Sequence, residues 1–334
     1  MKLTRSASLP AAALSAFALL TACASSPAPS ETASAGADET AGGAYPITVD
    51  NCGFSVSVEE PPERIVTIKS TSTELVLALG LGDRLVGTAF PDGPLPDGLA
   101  PPDPAPPVLS DQAPGSEAVL AVEPDLVFAG WESNFTSETA GEREKLADLG
   151  ITTYVAPPAC QEPQYQPNPL TFDDIFDYLT ETGELLGAPE AAAELVAKQR
   201  DALAAIDPSS EDLTALWYSS GSDIPYVGGG IGAPQLLMDT AGLRNINDEV
   251  EDTWASVAWE VIADRDPDVI VLVDSEWNTA EHKIEVLKSN PVTASMSAVA
   301  HSRYLTIPFP ASEAGVRSVD AAASLAEQLA ELDG

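Results

Sequence analysis

The chain has 334 residues, of which 44% are hydrophobic and 20% are charged, and its formal net charge at pH 7 is −37. This length allows two domains with cores of their own, and the composition is that of a globular protein. So strong an excess of acidic residues favours solubility and repels nucleic acid and anionic lipid, which excludes both as partners. An anionic small molecule would need cationic side chains placed at its binding site.

The first 44 residues have the pattern of an export signal followed by a tether. Lys2 and Arg5 precede a short apolar run that ends in small residues before Cys23, which predicts a signal peptide over residues 1–22. The end of this run resembles the bacterial lipobox, which implies that Cys23 becomes the lipid-modified first residue of the mature protein; an ordinary signal peptide with a chance cysteine is the alternative. Residues 23–44 predict a low-complexity tether, so we expect a lipid-anchored protein on the outer face of the cytoplasmic membrane.

Residues 45–58 alternate apolar and polar side chains around Asn51-Cys52-Gly53, which predicts a β-hairpin. With one cysteine assigned to the lipid, Cys52 and Cys160 remain. In an exported protein such a pair most often forms a disulfide, and two buried free thiols are the alternative. His282 and His301, without cysteines at metal-site spacing, leave little for a zinc or iron site, so we expect no metal and no cofactor.

Residues 63–90 predict a strand, a helix and a strand in close succession. The strand at 65–68 is β-branched, the helix at 74–79 is ended by glycines, and the second strand begins at 85. This order is that of a parallel βαβ unit, and ligands of open α/β sheets lie beyond the carboxyl ends of the strands. The polar residues 69–73, between the first strand and the helix, are therefore the first candidate for a ligand site.

Units of helix, Pro-Asp and strand occur at residues 117–128 and 259–273. Their separation is too long for a solenoid, so they predict two α/β lobes of related design. In the first lobe, residues 130–135 follow a strand as a polar and aromatic loop, whose rings either contact a ligand or simply pack on the sheet. A helix at 142–149 and a strand at 152–155 complete this lobe.

A helical period begins at residue 170, breaks at Gly187 and restarts at Pro189. About seventeen residues at 1.5 Å each give a rod of about 25 Å, long enough to cross from one lobe to the next. The predicted fold class is α/β, with two Rossmann-like lobes joined by one long α-helix and a ligand cleft between the lobes. The predicted limits are 45–169 for the first lobe, 170–207 for the linker helix region and 208–334 for the second lobe.

In the second lobe, strands are predicted at residues 213–218, 269–273 and 304–309, and a final helix at 320–332. The glycine-rich residues 228–233 nominally fit the dinucleotide fingerprint, but no buried strand precedes them, so we do not expect a nucleotide. The sequence has no Gly-x-Ser-x-Gly elbow, no nucleophile with a partner histidine and no metal motif. These absences from the sequence argue against an enzyme.

The chain resembles the substrate-binding lipoproteins of bacterial ABC importers, in the class that captures metal chelates and cobalamin. Residues 62–66, 73–75 and 82–87 carry this resemblance, together with the two helix-Pro-Asp-strand units. It implies a periplasmic-binding-protein-like monomer that captures a small molecule and delivers it to a permease with ATPase subunits. It also implies a modest change in cleft width on binding, because a single helical connection allows less hinge bending than several flexible strands.

Residues 213–234, 278–291 and 308–317 are similar to a subgroup proposed to bind a precursor of the deazaflavin coenzyme factor 420 that lacks its glutamate tail. This ligand is conjugated and anionic, since it carries a phosphodiester and a carboxylate. A ferric siderophore, haem or cobalamin is the alternative ligand within the same transporter class.

The predicted ligand-binding residues share a position at the carboxyl ends of strands in the two lobes. They are Lys69, Ser70, Thr71, Trp131, Asn134, Phe135, Tyr218, Ser219, Trp277, Phe309 and Arg317. The aromatic members suit a flat conjugated ring. We expect Lys69 and Arg317 to bind the anionic groups of the precursor; the alternative is that each pairs with one of the many nearby acids.

In this transporter class, one carboxylate from each lobe pairs with arginines of the permease. The resemblance implies Glu74 for the first lobe by motif, and Asp239 for the second by position, where aspartate replaces the usual glutamate. Both are expected to be exposed in the free protein. Two ordinary surface acids are the alternative.

Overall fold

The computed structural model describes residues 45–332. The predicted signal peptide, the predicted tether and Cys23 lie outside the described residues. Within residues 45–332, no helix is long and apolar enough to cross a membrane.

A β-hairpin opens the described chain, as the alternating pattern predicts. Strand β1 (Ile47–Asn51) pairs antiparallel with β2 (Phe54–Val58), and Cys52 and Gly53 form the turn, both with positive φ. Two-residue hairpin turns prefer this backbone conformation. A disulfide joins Cys52 to Cys160, with 5.3 Å between their Cα atoms, and fastens the hairpin to a loop of the first lobe.

The first lobe is built on a five-stranded parallel sheet. Its strands are β3 (Ile65–Ile68), β4 (Leu85–Ala89), β5 (Val108–Ser110), β6 (Leu126–Ala129) and β7 (Thr152–Val155), in the order β5, β4, β3, β6, β7. Its helices are α1 (Ser70–Ala78), α2 (Ser116–Leu120) and α3 (Arg143–Asp148). Every residue of β3 and β6 is buried, as expected for central strands of a sheet covered on both faces.

The polar segment at 70–73 is the first turn of α1, not the turn between strand and helix that the sequence predicts. The hydroxyl of Ser72 donates to the carbonyl of Ile68 at 2.7 Å, and that of Thr73 donates to the carbonyl of Lys69 at 3.2 Å. Such back-bonding satisfies the hydroxyls inside the helix. The helix therefore begins directly after Lys69, whose φ is 84°.

Two helices, α4 (Phe172–Leu185) and α5 (Pro189–Ala204), connect the lobes. Helix α4 packs on the first lobe, where the rings of Phe128 and Tyr178 are 6.5 Å apart. Gly187, with a φ of 72°, makes the turn, and α5 runs back along α4 so that Nη1 of Arg200 lies 2.8 Å from Oδ1 of Asp173. The 16 residues of α5 span about 24 Å and lead into the second lobe.

The second lobe contains a six-stranded sheet and the remaining helices. Its strands are β8 (Leu213–Ser220), β9 (Tyr226–Gly228), β10 (Leu243–Asn245), β11 (Trp254–Ser256), β12 (Val269–Asp274) and β13 (Tyr304–Pro308). Its helices are α6 (Ala233–Ala241), α7 (Trp259–Arg265), α8 (Ala280–Ser289), α9 (Ser297–Ala300) and α10 (Ser318–Leu332). The order is β11, β9, β8, β12, β13, with β10 also paired to β8; β9 and β11 run antiparallel to their neighbours, and the other pairs are parallel.

The two Pro-Asp breaks make equivalent hydrogen bonds. Asp125, at the entrance to β6, accepts from the backbone N–H groups of Glu63 and Arg64, at 2.8 and 3.0 Å, just before the neighbouring β3. Asp268, at the entrance to β12, accepts from the N–H and the hydroxyl of Thr214 in the neighbouring β8, at 2.8 and 2.7 Å. Each aspartate ties together the starts of two parallel strands, which gives the repeated motif the same physical role in both lobes.

Candidate functional site

A cavity of about 950 Å³ lies between the two lobes. Thr71 and Trp131, which follow β3 and β6, line it on the first lobe, and Ser219 and Trp277, at or after the ends of β8 and β12, line it on the second. The cavity therefore lies at the carboxyl ends of both sheets, the edge where open α/β sheets bind ligands. Its volume is that of a small-molecule site.

Aromatic side chains form much of the cavity wall. They are Phe90, Trp131, Tyr226, Trp254, Trp277 and Phe309. The ring centroid of Phe309 lies 6.5 Å from that of Trp131 and 5.6 Å from that of Trp277, so aromatic contacts continue from one lobe to the other. Tyr226 and Trp254 stack at 5.8 Å with an interplanar angle of 14°, on the paired strands β9 and β11. These rings suit a ligand with large flat or apolar surfaces.

The charged residues of the cavity wall are acidic. Asp92, Asp111, Asp252 and Glu313 line the cavity, whereas no lysine, arginine or histidine is among the described residues that line it. Within residues 45–332, no group of three or more His, Cys, Asp or Glu side chains is arranged to hold a metal ion. Because Asp111 and Asp252 are exposed carboxylates of this wall, it is complementary to a neutral or cationic ligand rather than to an anionic one.

Lys69 lies beneath this wall and is completely buried. Its ammonium forms an ion pair with Asp92 and lies 3.6 Å from Oε1 of Glu313. It also lies over three rings, 3.5 Å from the centroid of Trp131, with those of Phe90 and Phe309 at 4.5 and 4.7 Å. The carboxylates neutralise this charge inside the protein, and the cation–π contacts stabilise it further.

Arg317 is also paired inside the protein. Its guanidinium donates to both carboxylate oxygens of Glu74, with 2.8 Å from Nε to Oε2, and to the carbonyl of Pro94 at 2.7 Å. Glu74 is only 1% exposed, and burial raises the pKa of its carboxyl while Arg317 opposes that rise. Since Glu74 lies in α1 and Arg317 precedes α10, this buried ion pair joins the two lobes.

A family model described as periplasmic binding protein matches residues 65–311. The chain belongs to the periplasmic binding protein family. An ABC transporter substrate-binding lipoprotein of Bacillus subtilis, YvrC, is 24% identical over 294 residues, which cover 85% of this chain and 86% of the relative. A cobalamin-binding protein of Halobacterium salinarum is 28% identical over 237 residues, which cover 68% of this chain and 58% of that relative. The crystal structure of an ABC-type Fe3+-hydroxamate transport system from Saccharomonospora viridis matches with a TM-score of 0.71 and 26% identity, over 85% of this chain and 99% of that one.

The two-lobed α/β fold predicted from the sequence is confirmed by this membership and by the similarity to the solved structure. The transporter class is supported at the level of the family: similar proteins are substrate-binding proteins of ABC importers and cobalamin-binding proteins. In this periplasmic binding protein, the cavity at the carboxyl ends of both sheets is the candidate site for the transported molecule.

The structure brings some of the predicted ligand-binding residues together and places others elsewhere. Thr71, Trp131, Ser219, Trp277 and Phe309 line the cavity. Four others do not line it: Ser70, Asn134, Phe135 and Tyr218. The N–H of Ser70 donates to Asp92 at 3.1 Å, and Oδ1 of Asn134 accepts from the N–H of Trp131 at 3.3 Å. Phe135 packs in the core beside the disulfide, and the hydroxyl of Tyr218 donates to the carbonyl of Gly221 at 2.7 Å.

Three expectations about charged residues require correction. Lys69 and Arg317 do not face the cavity, because each is held by buried carboxylates, which is the alternative left open by the sequence. Glu74 is not exposed, because it is buried in an ion pair with Arg317, so it is not available to a permease arginine in this arrangement.

Asp239, by contrast, is exposed on α6, where its carboxylate accepts a hydrogen bond from the amide of Gln235 at 2.8 Å.

Several residues of the cavity wall were not among those predicted from the sequence. Phe90 and Asp92 directly follow β4, so the rule that ligands lie beyond the carboxyl ends of strands could have found them. Tyr226 and Trp254 carried no such signal, because their strands are short, antiparallel and at the edge of the sheet. Glu313 lies in the 308–317 segment that the resemblance singled out, between Phe309 and Arg317.

Proposed function

We propose that this periplasmic binding protein captures a neutral or cationic metal chelate outside the cytoplasmic membrane and delivers it to the permease of an ABC importer. The observation that carries the proposal is the aromatic and acidic wall of the cavity, together with the pairing of Lys69 and Arg317 inside the protein. Delivery to a permease is supported by the relative that is an ABC transporter substrate-binding lipoprotein, and the same relative supports attachment of this chain through Cys23.

The charge of the wall allows the candidate ligands to be ranked by their expected affinity. The deazaflavin precursor carries a phosphodiester and a carboxylate, and haem carries two propionates, so neither would meet a cationic side chain among the described residues of the wall. Ferric hydroxamates and cobalamins bring large surfaces with a neutral or positive net charge. The two proteins described above with hydroxamate and cobalamin in their names support the same two classes. We therefore place hydroxamate and corrin chelates ahead of the anionic ligands.

A titration panel tests this order. The mature exported protein is titrated with ferrioxamine B, cyanocobalamin, haem and the deazaflavin precursor, and binding is followed by calorimetry and by the fluorescence of Trp131, Trp254 and Trp277, which line the cavity. We expect at least one of the first two compounds to bind with a Kd of about 1 μM or lower, and both anionic compounds to bind at least about tenfold more weakly. Tighter binding of the deazaflavin precursor or of haem would contradict the proposal.

Trp277→Ala is expected to weaken chelate binding about tenfold or more, and to change the free energy of unfolding by no more than about 0.5 kcal/mol. The indole is 62% exposed at the cavity, so its main contribution is contact area for the ligand rather than core packing. Ile224→Ala is the matched control, since Ile224 is also 62% exposed in the same lobe but does not line the cavity. An equal loss of affinity in both variants would place the ligand away from Trp277.

For the permease, the exposed carboxylate of Asp239 is the docking residue that we propose for the second lobe. The burial of Glu74 leaves the first lobe without an assigned docking residue. Charge reversal at Asp239 should reduce uptake into cells and leave ligand affinity intact; unimpaired uptake would remove this assignment.

A further inference from the structure

Two buried polar atoms on the cavity wall have no hydrogen-bond partner. They are Oε2 of Glu313 and Oγ1 of Thr71, and Thr71 as a residue is only 4% exposed. Folded proteins pair nearly all buried polar atoms, and an unpaired one costs free energy unless a bound molecule satisfies it. Both atoms belong to side chains of the proposed binding cavity, so a ligand group is the natural partner.

The surroundings of each atom define where the group would lie. Oε1 of Glu313 is already used, because it accepts from Nε1 of Trp131 at 2.8 Å and lies 3.6 Å from Nζ of Lys69, which leaves Oε2 free. Beside Thr71, a Cβ on Gly130 would lie 2.6 Å from Oγ1, so only glycine fits next to this hydroxyl. A Cβ on Gly315 would lie 3.7 Å from Cγ2 of Thr71, which places Thr71 against the loop that carries Glu313.

The charges around Glu313 do not balance. Lys69, at the end of β3, is one positive charge shared by two carboxylates, Asp92 after β4 and Glu313 before α10. From α4, the buried and unpartnered hydroxyl of Tyr178 adds no positive charge. Burial raises the pKa of Glu313 to about 7, with Asp92 raising it further and Lys69 opposing the rise. The missing positive charge is supplied either by a proton on Glu313 or by a cation from the ligand.

We propose that Glu313 and Thr71 form a subsite for an ammonium group of the ligand, with N–H donors directed at Oε2 and Oγ1. An ammonium supplies both the missing charge and the missing donors, whereas an amide or a water molecule supplies only donors. The inference rests on the proposed function and narrows it to chelates that carry an amine. Glu313 and Thr71 then determine specificity within that class.

A matched pair of hydroxamate chelates tests the subsite. Ferrioxamine B carries one terminal ammonium, and its N-acetyl derivative is the same chelate without that charge. For the wild-type protein at pH 8, we expect the ammonium form to bind about tenfold to hundredfold more tightly. Glu313→Gln, which keeps the shape of the side chain, should abolish this preference, measured as the ratio of the two affinities in the same variant. Thr71→Val should reduce the preference in part.

The pH profile provides a second readout. Below about pH 7 Glu313 is protonated and offers no charge, so the affinity for ferrioxamine B should rise as pH increases through 7, while that for the acetylated form stays constant. Asp111→Asn is the control, because Asp111 is an exposed carboxylate on the same wall and lies outside the cluster around Lys69. If Asp111→Asn and Glu313→Gln lowered the preference for the ammonium form equally, the preference would come from the overall negative charge of the cavity. That result would overturn the subsite.

The remaining outcomes separate the subsite from the proposed function. Equal and tight binding of both chelates by the wild-type protein would overturn the subsite and leave chelate capture intact. Failure of both to bind, at concentrations where the wild-type protein is shown to be folded, would overturn the hydroxamate form of the proposed function and the subsite with it.

Discussion

Arg317→Ala is expected to lower the free energy of unfolding by about 3–5 kcal/mol at pH 7, because it leaves Glu74 buried without its partner. The carboxylate of Glu74 is 1% exposed and accepts two hydrogen bonds from Arg317. Its pKa is already raised by burial, and loss of the guanidinium raises it further. A carboxyl with a raised folded-state pKa loses stability as pH rises, so the deficit should shrink toward pH 4. Urea denaturation at both pH values measures it.

Two further variants make the result specific. Arg244 pairs with Asp212 at 3.5 Å, and both side chains are mostly exposed, so Arg244→Ala should cost at most about 1 kcal/mol. The double variant Arg317→Leu with Glu74→Leu removes both charges and should recover much of the lost stability. If Arg317→Ala changed stability little but greatly weakened binding of an anionic ligand, Arg317 would be a ligand-binding residue of the cavity and not a structural partner of Glu74.

Lys69→Met is expected to cost about 3–5 kcal/mol of unfolding free energy. Methionine fills similar space but leaves the carboxylates of Asp92 and Glu313 together without their shared cation. The rings of Trp131 and Phe309 also lose the ammonium that they surround. Because protonation relieves the repulsion, the deficit should be larger at pH 8 than at pH 5 in denaturation experiments.

Lys283→Met is the matched control for this substitution. Lys283 is also buried, at 1% exposure, but its ammonium donates to the carbonyls of Val273 and Asn278, both at 2.6 Å. Burial lowers its pKa to about 8, so it remains largely protonated from pH 5 to pH 7. Its deficit should therefore be constant across that range. A deficit for Lys69→Met that is likewise constant between pH 5 and pH 7 would contradict the role of Lys69 as the shared partner of two carboxylates.

The sequence predicted the parts of the fold that depend on local pattern. The hairpin around Cys52, the two Pro-Asp units and the helix restarted at Pro189 each have a signal confined to a few residues, and the structure contains all of them. Where the strand-end rule applied, it also found part of the cavity, including Thr71 and Trp277.

The partners of the charged residues were beyond such reasoning. Arg317 and Glu74 are separated by 243 residues, and with 52 acidic residues in the chain no pattern selects one of them for a given cation. Lys69 illustrates the same difficulty: its position after a strand was correct, but its direction depends on a backbone φ of 84° and on Asp92 from a neighbouring loop. The charge of the site therefore depends on the direction in which these side chains point. That direction is set by tertiary contacts, which the local sequence does not reveal.

The bond between Cys52 and Cys160 connects ligand capture to the compartment in which the chain resides. Cys160 and its neighbours Pro158 and Gln161 belong to the cavity wall, so this part of the wall is held in place by a covalent bond to the hairpin. In the reducing conditions of the cytoplasm, such cysteines stay reduced and do not form the disulfide. The part of the wall around Cys160 therefore reaches this covalently held arrangement only in an oxidising compartment.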